Sequence, residues 1–146
     1  MRKQQMLLNI MITLLILLFT YTAVSKLADL SEFEKQLRNQ VIPKWSVGIL
    51  LWLLPLTELV IAAMLMSGKY RVSGLRASVV LMLVFSIYMG LATFHVFDRK
   101  PCSCGGVLRS MGFTTHFIFN LTFLFFSIAS LRLQKSLDAV FENPKI

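Results

Sequence analysis

The stretch WSVGILLWLLPLTELVIAAMLM, residues 45–66, decides the fold. It is apolar almost throughout, is flanked by Lys44 and Lys69, and carries one ionisable side chain, Glu58. About 20 helical residues cross a hydrocarbon core. Lipid offers the backbone no hydrogen-bond partners, so a run of this kind is a helix. Three further stretches have the same character: Met6–Val24 after Arg2 and Lys3, Ala77–Phe97 between Arg76 and Arg99, and Thr114–Leu131 closed by Arg132. Short connections make neighbouring spans antiparallel. The expected fold is all-α, a transmembrane four-helix bundle running up-down-up-down, formed as a single membrane domain over residues 1–146.

Composition agrees. Of 146 residues, 56% are hydrophobic and only 15% charged, against roughly 25% charged in soluble domains. The apolar excess excludes disorder, and two cysteines exclude a disulfide-stapled secreted fold. The net charge of +8 does not point to nucleic acid, because most Lys and Arg sit at the ends of apolar runs. The partner that this distribution implies is the lipid bilayer. A signal-peptide reading of the first span is disfavoured by an apolar run longer than a usual h-region and by the three spans that follow. The tail 132–146 is polar and expected to fray.

Basic residues barely orient the chain. With the N-terminus in the cytoplasm, eight fall inside and seven outside. Arg2 and Lys3 abut the first span, which usually dominates, so both termini are expected in the cytoplasm. The loop between spans three and four then lies outside.

In the first loop, Leu27, Leu30, Phe33, Leu37 and Val41 recur every three or four residues, the stripe of an amphipathic helix. Ser31 with Glu34 reads as a capping box, and Pro43 as a stop. The simplest reading is a short helix lying on the bundle end.

Two constellations carry possible chemistry. The loop Asp98-Arg99-Lys100-Pro101-Cys102-Ser103-Cys104-Gly105-Gly106 contains both cysteines. Two residues span at most about 7 Å, and a disulfide needs Cα atoms roughly 4.4–6.8 Å apart. A Cys102–Cys104 bridge therefore requires a bend, and a strained, exposed disulfide suits exchange better than bracing. Arg99, Lys100 and Arg109 favour a thiolate, and His95 and His116 in the flanking spans can tune it. On this reading Cys102 and Cys104 are a redox pair. The competing reading makes the same four Cys and His residues a zinc or copper site, although Cys-x-Cys is tighter than usual zinc spacing. The blandest makes them loop residues and interfacial anchors. His116 and Asn120 stand one helical turn apart and can share a face.

The second constellation is Leu54-Pro55-Leu56-Thr57-Glu58. Glu58 lies near mid-span, where a charge costs about 2.5–3.5 kcal/mol or more. Residue counting places Thr13, Ser86 and Ser127 at its depth and no Lys or Arg, so a neutral carboxyl facing the bundle interior is expected. Glu58 serves there as structural glue or as a polar site for a proton or hydrophobic cofactor.

These residues together resemble the MauE/DoxX superfamily of four-helix bacterial membrane proteins. The resemblance rests on Ser25-Lys26-Leu27, Phe33, Leu54-Pro55-Leu56-Thr57-Glu58-Leu59 and Cys102-Ser103-Cys104-Gly105-Gly106, with His116 and Asn120 following. The cysteine element looks like the C-x-C-x-G signature of the MauE-like branch. Gly106 departs from it, standing where the family pattern leads one to expect an aromatic. No second cysteine pair is present, unlike the related vitamin-K-epoxide-reductase-like bundles that relay electrons toward quinone.

The resemblance implies a bacterial inner-membrane protein associated with thiol–disulfide chemistry outside the cytoplasm. Its partner would be a periplasmic thioredoxin-like or other thiol protein. The family's namesake supports maturation of methylamine dehydrogenase, whose subunit contains several disulfides. The alternative function is a noncatalytic assembly factor or metal-handling protein using the same loop, and a third is a purely structural subunit. The sequence names no cofactor.

Overall fold

A computed structural model describes residues 2–94 and 113–142. It contains α1 (Arg2–Ala28), α2 (Leu30–Arg38), a 3-10 turn (Lys44–Ser46), α3 (Val47–Met66), α4 (Arg71–Thr93) and α5 (Phe113–Glu142). Among the described residues α1, α3, α4 and α5 are long and apolar enough to span a membrane. In the bundle α1 packs on α3 and α5, and α4 on α3 and α5, so helices adjacent in the chain are adjacent in space.

The buried stripe of α1 comprises Leu8, Met11, Ile12, Leu15, Phe19, Ala23 and Lys26, spaced to lie on one helical face. Its opposite face is also apolar, with Leu7, Ile10, Leu17, Tyr21 and Val24 exposed. A helix that is apolar all round is one that lipid covers. Leu8, Leu15, Ile61, Leu65, Leu75, Met82 and Leu137 belong to one core cluster. Gly74 brings α4 against α3: a Cβ added there would lie 3.0 Å from Met64 Cβ and 3.1 Å from the Leu65 backbone nitrogen. Two hydroxyls inside the spans donate to carbonyls one turn back, Thr57 to Leu53 (2.6 Å) and Ser78 to Gly74 (3.0 Å), so these two add no unmet polar group to the lipid.

Several expectations change. Helix α1 runs four residues past Val24, and α4 starts at Arg71 rather than Ala77 and ends at Thr93. The tail does not fray at Arg132: α5 continues to Glu142, and Leu137 is buried in the main core. A Gln134–Asp138 hydrogen bond of 2.8 Å supports the added turns.

The amphipathic helix is present as α2, but Ser31 and Glu34 do not cap it. Asp29 is the N-cap and accepts from the Glu32 backbone N–H at 3.0 Å, while Ser31 donates to the Asp29 carboxylate. Glu34 instead pairs with Arg38 at 2.6 Å. The helix ends at Arg38, so Val41 falls beyond it and is exposed. Phe33 and Leu37 point inward and form a second small core with Val47.

Candidate functional site: a buried ion pair beneath a surface helix

Connectivity brings the end of α1, all of α2, the start of α3, the end of α4 and the start of α5 to one end of the bundle. A cavity of about 270 Å³ lies there. Its wall is mainly apolar, with Phe19, Phe33, Phe85 and Phe119 among its lining residues. Its polar residues come from five segments: Thr22 and Lys26 of α1, Gln40 after α2, Glu58 of α3, Tyr88 of α4, and His116 and Asn120 of α5. The Tyr88 hydroxyl donates to Gln40 Oε1 at 2.6 Å, tying α4 to the loop that follows α2.

Lys26 is the residue that span counting misses. Its ammonium donates to both carboxylate oxygens of Glu58, Nζ to Oε1 at 2.6 Å and to Oε2 at 2.9 Å. Both side chains are buried, at 9% and 2% exposure. The expectation that no cation reaches the depth of Glu58 is therefore corrected: the Lys26 ammonium contacts both oxygens of its carboxyl group. Helical side chains lean toward their own N-terminus. On antiparallel helices Lys26 thus reaches down into the bundle and Glu58 reaches up. A residue at the end of α1 can in this way meet one eleven residues into α3. The Lys26 ammonium also lies 5.8 Å from the centre of the Phe33 ring, within cation–π range.

Thr13, Ser86 and Ser127 do not hold Glu58. Thr13 donates to the Asn9 carbonyl and Ser127 to the Phe123 carbonyl. Ser86 is buried, with no partner for its hydroxyl among the described residues.

His116 and Asn120 share a buried face of α5, as their spacing predicts, and both line the cavity. The Nδ1 atom of His116 is buried and has no hydrogen-bond partner among the described residues. His95, Cys102, Cys104, Arg99, Lys100 and Arg109 lie outside the described residues. Among the described residues no cluster of three or more His, Cys, Asp or Glu side chains is arranged to hold a metal.

Residues 4–133 match the family described as methylamine utilisation protein MauE. The chain belongs to the MauE family. No curated protein and no solved structure matches it. With four apolar helices, the MauE-family chain is a multi-pass membrane protein suited to a lipid bilayer.

Proposed function

We propose that this MauE-family protein sits in the bacterial inner membrane and supports maturation of a periplasmic redox protein, of methylamine-dehydrogenase type, by thiol–disulfide exchange at Cys102 and Cys104. The family match carries the reading. It is supported by the sequence position of both cysteines between α4 and α5, two helices whose facing ends line one cavity with Lys26 and Glu58.

The exchange needs no metal. A thiolate of the reduced pair attacks a disulfide of a thioredoxin-like or other thiol protein. One sulfur of that protein leaves as thiolate, and a mixed disulfide forms. The second cysteine of the pair then displaces the partner's remaining sulfur and closes the Cys102–Cys104 bridge. Two electrons pass to the partner, which ends as a dithiol, and the reverse sequence oxidises it. The basic residues Arg99, Lys100 and Arg109 favour the thiolate, with His95 and His116 as tuning groups. Glu58, fixed by Lys26, is the polar anchor of the intramembrane site. Both termini are cytoplasmic in this reading.

Thiol trapping in intact cells tests it. Changing only the resolving cysteine to Ser should accumulate a covalent complex that reductant dissolves. Changing both should abolish the complex and leave the bundle folded. If neither single variant captures a partner and the double variant supports maturation fully, the exchange reading is wrong. A periplasm-active reporter fused after Ile146 should be silent; strong activity would reverse the topology.

A further inference from the structure

The cavity holds polar groups that the ion pair does not use. His116 is 7% exposed and its Nδ1 has no partner among the described residues. Asn120, 6% exposed, lines the same space. Leaving a buried donor or acceptor unmet is costly. This unpartnered nitrogen stands one helical turn from the Asn120 amide on one face of α5 at the cavity wall, and marks a place where something else completes the bonding.

The wall describes its occupant. Lys26 and Glu58 cancel each other's charge, so a charged ligand would bring a net charge into a lipid-buried site, which is costly. The occupant is therefore neutral. Phe19, Phe33, Phe85 and Phe119 offer aromatic surface, which favours a ring. A cavity of about 150 Å³ takes benzene, so one of about 270 Å³ takes a single substituted ring. The imidazole and the primary amide are both able to donate to an acceptor oxygen. The lining also extends to Val84, which is 55% exposed on the outer surface of α4. An alkyl chain on the ring has a way out into lipid there.

We propose that this cavity binds an uncharged, lipid-soluble molecule whose flat ring carries a carbonyl oxygen, with His116 and Asn120 bonding that oxygen. The site shares His116 with the thiol-exchange reading, but ligand binding there needs neither cysteine.

The test uses the full chain in lipid nanodiscs, with three probes that share a ten-carbon chain. One is a fully substituted 1,4-benzoquinone, which has no free ring carbon for a thiol to attack. The others are decylbenzene and decanoate. The quinone should bind saturably, one per chain, while decylbenzene and decanoate only partition. His116→Leu and Asn120→Leu should each weaken quinone binding by about three- to tenfold, the worth of one neutral hydrogen bond. Leu54→Trp, a half-buried wall position, should block the cavity while retaining both polar groups. Circular dichroism and thermal unfolding confirm that each variant is folded.

Linear, non-saturable uptake of the quinone would overturn the proposal, and would mean that water fills the cavity. Equal saturable binding of decylbenzene would remove the carbonyl, and tighter binding of decanoate would remove neutrality. Folded variants that bind like the unsubstituted protein would also refute it. The measurement reads no thiol, so its failure leaves the exchange reading standing, and failed thiol trapping leaves this site standing.

Discussion

Removing one partner of the Lys26–Glu58 pair is the sharpest test of how the bundle end is built. At an effective dielectric of about 20, unit charges at this separation attract by roughly 6 kcal/mol. Withdrawing the two ions from water costs several kcal/mol each, so the intact pair is close to neutral in stability. Deleting one partner is different, because the other remains buried and uncompensated, at about 3–5 kcal/mol. Lys26→Met keeps most of the aliphatic stem and removes only the ammonium. It should lower the unfolding free energy by about that amount.

Glu58→Met should cost less. The surviving Lys26 is two residues from the end of α1 and can swing its ammonium toward the interface. Glu58 is deeper and shorter, with no such escape. The double Met variant should lie within about 1 kcal/mol of the unsubstituted protein or above it, since apolar replacement of a buried pair is often neutral or stabilising. The coupling energy of the cycle should then reach about 3 kcal/mol. Reversible SDS unfolding in mixed micelles, followed by circular dichroism, measures all four proteins. Single variants each within about 1 kcal/mol of the parent, or a double variant equal to their sum, would refute a buried and mutually dependent pair.

Other elements yield their own tests. Gly74→Val meets Met64 and the Leu65 backbone at van der Waals limits and should destabilise by about 1–3 kcal/mol in the same unfolding assay. Asp29→Ala removes the α2 cap and should cost about 1 kcal/mol, whereas Ser31→Ala, which spares the bond to the Glu32 N–H, should cost less. Leu137→Glu places a charge in the main core and should lower the unfolding midpoint markedly; an unchanged midpoint would mean that the last turns of α5 are not part of the packed bundle.

The four spans were legible because an unbroken apolar run in lipid has one backbone solution. The stripe around Phe33 and Leu37 was legible because helical periodicity survives in nine residues. Lys26 was not. Hydropathy ends the first span at Val24, since a charged residue reads as outside, and nothing local says that the helix continues with its side chain turned inward. Only the partner on α3 explains that. Ser31 and Asp29 show the same limit: both are good N-caps, and which one starts the helix depends on how α2 leaves α1. The extension of α5 was hidden by its polar composition, because Leu131, Leu133 and Leu137 hold an inward face between Arg132, Gln134 and Lys135.

The bundle divides its work along its length. Leu8, Leu65, Leu75 and Leu137 come from the start of α1, the end of α3, the start of α4 and the end of α5, so they gather at one end. There Gly74 draws α3 and α4 into close contact. Lys26, Glu58, His116 and Asn120 come from the opposite portions of the same helices and surround a cavity that α2 helps to close. Helices in lipid are held chiefly by close packing, small residues and interhelical polar contacts. The tightly packed end can therefore keep the helices in register while the other end retains the cavity. Polar-to-apolar changes at His116 or Asn120 should for that reason alter binding before stability, whereas the Lys26–Glu58 pair, which joins α1 to α3 across the boundary, alters both.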